Sequence, residues 1–139
     1  MIFNLKNKSK ENPNQNLINT AALLIHAAKI DQIYTEKEKD IIKRTIIDLS
    51  ETEENIDTII LEAEKLENES IQILDFTKEV KNLNEEDKIK IVEALWKIIF
   101  SDNQSDTYES NLMRRLSGLL YLDPKVVGDI KEKVRQKKI

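Results

Sequence analysis

Apolar residues recur at helical spacing along most of the chain, and their rhythm divides it into about seven helices. The first is expected from about Asn14 to Ile30, with Leu17, Ala21, Leu24, Ile25 and Ala28 on one face. The second opens at Thr35, which stands three residues before Glu38 in capping-box spacing, and carries Ile41, Ile42, Ile46 and Leu49. Ser50 and Glu53 repeat that spacing and predict the start of a third helix bearing Ile56, Ile59, Ile60 and Ala63. It ends in the polar run Glu67-Asn68-Glu69, and a fourth helix carries Ile73, Leu74, Phe76, Thr77 and Val80. Asn84 caps a fifth, whose Ile89, Val92, Leu95, Trp96, Ile99 and Phe100 form the most apolar face in the chain. The sixth starts at Asp106, with Glu109 three residues on, and buries Leu112, Met113, Leu116, Leu119 and Leu120. Asp123-Pro124, an N-cap followed by proline at the first helical position, opens the seventh, which carries Val126, Val127, Ile130 and Val134.

These helices fall into two related halves. A shift of 71 residues carries Leu24 onto Leu95, Asp31 onto Asp102, Glu38 onto Glu109, Ile41 onto Leu112 and Arg44 onto Arg115. Each half reads as a long helix, an acidic loop, a second helix and a third. Two copies at so long a period indicate one pseudo-symmetric domain rather than a solenoid. The expected fold is all-α, a single compact bundle of about seven helices built from two helix-loop-helix halves. Residues 1–16, rich in Asn and Lys and carrying Pro13, are expected to form a loosely ordered lead, and residues 17–139 the helical domain.

Composition narrows the function. With two Gly and two Pro in 139 residues, the chain lacks the turns of an all-β fold. It has no Cys, which removes thiolate chemistry and zinc ribbons and suits a cytoplasmic location. A net charge of −4 argues against a nucleic-acid partner. The start Met1-Ile2-Phe3-Asn4-Leu5-Lys6 is too briefly apolar for a secretory signal or a membrane span, which leaves peripheral association as the expected limit of membrane contact.

The candidate chemistry lies in the acidic loops, Asp31–Glu38 and Asp102–Glu109. Calcium and magnesium take oxygen ligands, and a carboxylate before a turn can converge with one from the next helix's first turn. Asp102, Asp106 and Glu109 make the better set, with Asn103, Gln104 and Ser105 as neutral oxygens and no basic residue among them. Asp31 and Glu38 make the poorer one, because Ile33 and Thr35 stand where the other loop has Gln104 and Asp106, and Lys37 and Lys39 flank Glu38. Neither is an EF-hand, since Ile42 and Met113 occupy the twelfth positions where a bidentate Glu is required. Helix capping accounts for Thr35, Glu38, Asp106 and Glu109 without any metal, each cap contributing about 0.5–2 kcal/mol.

Elsewhere the chemistry is sparse. His26, the single histidine, falls at the edge of an apolar face and reads as structural. The only glycines, Gly118 and Gly128, form no phosphate-binding loop, and Gly118 is expected to permit a close helix crossing. Trp96 and Phe100 read as core. The basic tail Lys131, Lys133, Arg135, Lys137 and Lys138 complements a helix C-terminus and offers a docking site for an acidic partner.

The run Ala22-Leu23-Leu24-Ile25-His26-Ala27-Ala28-Lys29-Ile30-Asp31 with Glu38, and Glu93-Ala94-Leu95-Trp96-Lys97 leading through Ser101-Asp102 to Glu109 and Met113-Arg114-Arg115-Leu116, resemble the TerB-like family. That family is associated with bacterial tellurite resistance, and its fold also occurs at the N-terminus of a DnaJ-type co-chaperone. The resemblance covers about residues 17–136. Its usual Gly after the Asp is Gln32 in the first loop and Asn103 in the second. It implies a helical, non-enzymatic protein with acidic clusters proposed to bind divalent metal, linked to stress responses or membrane-associated complexes. Two functions are therefore expected: a TerB-like module holding calcium or magnesium at its acidic turns, or a metal-free domain that binds a protein partner through a helical groove or its basic C-terminal helix.

Overall fold

Among the described residues of the computed structural model, the apolar rhythm resolves into seven α-helices: α1 (Pro13–Ala28), α2 (Glu36–Ser50), α3 (Ile56–Glu69), α4 (Leu74–Val80), α5 (Glu85–Phe100), α6 (Thr107–Leu119) and α7 (Pro124–Lys137). The structure describes residues 13–29, 34–69, 74–101 and 107–137, and none of these lies in a strand. Of the loose lead expected over residues 1–16, residues 1–12 lie outside the described ones, and residues 13–16 form the first turn of α1. Pro13 itself opens α1, where its missing N–H costs no hydrogen bond.

The duplication is visible in the element order. Helices of 16, 15 and 14 residues in the first half are matched by 16, 13 and 14 in the second, with the short α4 between them. Packing repeats as well: α1 lies on α3 as α5 lies on α7, while α2 and α1 both touch α5 and join the halves. Their shared core draws on every helix.

The two 16-residue helices are its centre. Residues Ala21 through Ile25 are fully buried, and in α5 Ile91, Ala94 and Ile98 are buried alongside Val92, Leu95, Trp96, Ile99 and Phe100. Helical periodicity selects one apolar face, but these helices are covered on several sides. α1 packs against α2, α3, α4 and α5. A helix surrounded in this way is apolar nearly all round.

Several predicted starts are made as expected. Asn84 Oδ1 accepts from Asp87 N at 2.8 Å, and Asp123 Oδ1 accepts from Lys125 N at 2.9 Å just behind Pro124. The start predicted at Ser50 is not. α2 continues through Ser50, whose hydroxyl donates to Ile47 O and Thr52 O, and the turn is made by Glu51 and Asn55, both at φ 62°. The chain enters α3 only at Ile56, because the next apolar residue to reach the core lies there.

Gly118 is also corrected. A β-carbon there would meet nothing within 4 Å, so it permits no close crossing. Gly118→Ala is therefore expected to stabilise the chain by about 0.5–1 kcal/mol, through the backbone freedom that glycine loses in a helix. Urea denaturation of the variant checks it; a loss of stability would mean that the site is crowded. Close by, the end of α6 is held by Leu122 N donating to Ser117 O at 2.8 Å, with Tyr121 left-handed at φ 59°. Lys88, buried on α5, donates its Nζ to Leu120 O at 2.8 Å and so ties that end to the central helix. No helix among the described residues is long and apolar enough to cross a membrane.

Candidate functional site

Of the five carboxylates singled out in the sequence, Glu38 is the one whose side chain the structure describes. Thr35 is extended (φ −87°, ψ 164°) and its hydroxyl accepts from Glu38 N at 3.1 Å. Glu38 Oε1 reaches back to accept from Thr35 N at 2.9 Å, which completes the capping box. The residue is 3% exposed. In the first half, then, the carboxylate works as a helix start. Asp31, Asp102 and Asp106, and the side chain of Glu109, lie outside the described residues. The helices bordering the two loops do meet: Lys37 Nζ, in the first turn of α2, donates to Ser101 O at 3.2 Å, just beyond the end of α5. Among the described residues no group of three or more His, Cys, Asp or Glu is placed to hold a metal.

Two polar seams escaped the sequence reading. Glu67 is buried and accepts from Lys29 Nζ at 2.8 Å, with His26 Nδ1 at 3.2 Å, so it clamps α3 to α1. His26 is partly buried, as expected, with its ring 5.8 Å from Phe76. The signal for Glu67 was its register. It continues the face of Ile56, Ile60 and Ala63, and the polar neighbours Asn68 and Glu69 hid that.

The second seam joins α3 to the approach to α2, at the wall of an open pocket of about 710 Å³. Tyr34 Oη donates to Glu64 Oε2 at 3.1 Å, and Lys39 Nζ lies 3.2 Å from the same oxygen. Burial pushes the Tyr34 phenol well above its ordinary value of 10.0, and the charge and hydrogen bond of Glu64 push the same way, with Glu36 and Glu38 adding to it. A raised pKa on an acid means that the folded state favours the protonated form. The contribution is fully present below pH 10 and is lost as pH rises through the folded value, because the unfolded phenol ionises first. Denaturation of wild type and Tyr34→Phe on either side of pH 10 is expected to show wild type losing stability faster on the alkaline side; parallel curves would contradict it.

A groove lies where α2, α5 and α7 meet. Ile41, Phe100 and Val134 face a cavity of about 340 Å³, with Lys37, Lys97 and Lys137 around it and Ser101 at one end. Arg135 stands over the Phe100 ring at 5.9 Å and Lys131 over the Trp96 ring at 5.1 Å. Part of the basic tail thus covers aromatic edges of the core as well as the α7 C-terminus.

Compared with known proteins, the chain matches the family model of the tellurite resistance protein TerB over residues 17–132. No curated protein and no solved structure matches it. The family match runs from α1 into α7 and spans well over half the chain, so this chain belongs to the TerB family.

Proposed function

We propose that this TerB-family chain is a non-catalytic binding module that takes a divalent cation, calcium or magnesium, at its second acidic loop through Asp102, Asp106 and Glu109. The observation that carries this reading is the inequality of the two halves. Glu38, the first half's counterpart of Glu109, is buried and its carboxylate accepts from Thr35 N in the capping box. The second half has Asp106 where the first has Thr35, which adds a carboxylate at that position, and no lysine between Asp102 and Glu109, where the first half has Lys37. Carboxylates drawn together repel by about 4 kcal/mol at about 4 Å in an effective dielectric of about 20, which a cation would relieve. Asp31 and Glu38 are secondary in this reading. The family supplies the expected setting, tellurite resistance or a related stress response.

Titrating calcium and magnesium into labelled protein tests the site directly. Amide shifts are expected in residues 102–109, and Asp102→Asn with Glu109→Gln should weaken them at least about tenfold, as removal of hard-oxygen ligands requires. Glu38→Gln should leave the titration unchanged, because Gln serves a capping box as Glu does. No response of the 102–109 amides at millimolar metal would sink the cation claim.

A further inference from the structure

We infer that the groove between α2, α5 and α7 is a docking site for an acidic peptide segment that carries one large apolar side chain. Its floor and its rim differ in kind. Phe100 and Val134 are buried and Ile41 is partly buried, so the apolar surface is recessed. Around it stand three ammonium groups contributed by three separate helices, Lys37, Lys97 and Lys137, and among the described residues lining the groove there is no carboxylate. Arg135, on the Phe100 ring, adds a fourth cation at the edge.

Helix ends account for some of this charge, since Lys97 and Lys137 lie in the last turns of α5 and α7. Lys37 occupies the first turn of α2, where its own helix's dipole disfavours a cation, and it serves the C-terminal end of α5. Its Nζ donates to Ser101 O, which holds the cation at the groove.

Size and shape select the occupant. A cavity of about 340 Å³ is at the small end for ligand pockets, and suits one anchoring side chain. A membrane would need apolar side chains that protrude beyond the lysines, whereas these lie beneath them. A peptide places its anchor in the recess and its carboxylates on the rim, and the rim charges steer its approach. The inference stands apart from the cation reading, and its test is made in a chelator.

The probe is a labelled peptide of about a dozen residues with a central Leu flanked by Asp and Glu. The controls are the same peptide with Lys for its acids and with Ser for Leu. In EDTA, amide shifts are expected around Lys37, Ile41, Lys97, Phe100 and Val134, with binding that falls as salt rises and is at least about tenfold weaker for either control. Lys97→Glu with Lys137→Glu, two exposed positions, should lose binding by a similar factor, while the thermal melt stays cooperative and falls only by what two helix C-termini lose with their cations. Binding of the lysine control as tight as the acidic peptide, shifts elsewhere on the surface, or no effect of the charge reversal would overturn the proposal. So would capture by phosphatidylserine vesicles that the acidic peptide fails to compete away. Shifts at 102–109 with added metal belong to the cation reading and decide it separately.

Discussion

Leu24→Ala is expected to destabilise the entire chain by about 2–5 kcal/mol and to leave it unfolding in a single transition. The first part follows from burial. Leu24 is fully enclosed at the centre of α1, where α2, α3, α4 and α5 converge, so truncation opens a cavity that four neighbours would have to collapse to fill. The second part follows from the joint between halves. α1 and α2 both pack on α5, so neither half closes its core without the other. Leu95 stands at the equivalent place in the second half and is also fully buried, and Leu95→Ala should cost a similar amount. Urea denaturation followed by far-UV circular dichroism reads both halves, and the fluorescence of Trp96, the single tryptophan, reads the second. For Leu24→Ala the two curves should coincide although the lesion lies in the first half. Separated curves, with Trp96 holding its signal after helicity falls, would show two independently folding units and end the single-core account.

How far the sequence foretold this molecule varies from residue to residue. The caps at Thr35, Asn84 and Asp123 were legible because the signal is local: a short polar side chain reaching an N–H two or three residues on. Ser50 shows the limit of the same signal. Its spacing to Glu53 fits a capping box, yet the apolar face resumes only at Ile56, and the chain spends the interval on a turn. Tertiary packing decided between two locally acceptable starts. Burial on several sides of α1 and α5 was not legible either, because periodicity reports the most apolar face and is silent on what covers the others. Of the candidate site, the sequence located the acidic spacing and its inequality. The groove was beyond it, since Lys37, Lys97 and Lys137 come together only when α2, α5 and α7 do.

Trp96→Ala is expected to cost about 3–5 kcal/mol, among the largest losses that any single side chain of the core can cause. Trp96 is 3% exposed and stacks on Phe100 with ring centroids 5.7 Å apart and planes tilted by 17°. Its Nε1 donates to Val127 O at 3.1 Å, tying α5 to the first turn of α7, and Lys131 covers the ring from that helix. Trp96→Phe separates the two contributions. It keeps an aromatic ring against Phe100 and removes the indole donor, so its loss should be smaller, with about 0.5–1.5 kcal/mol traceable to the missing hydrogen bond. The same pair bears on the groove, because Phe100 is part of its floor and Trp96 holds Phe100 in place. Trp96→Ala should therefore weaken the acidic peptide along with stability, while Trp96→Phe spares most of the binding. Circular-dichroism melts and peptide titrations on both variants make the comparison. Equal stability losses for Phe and Ala would mean that the indole N–H, rather than the stacked ring, is what fastens α7 to the core.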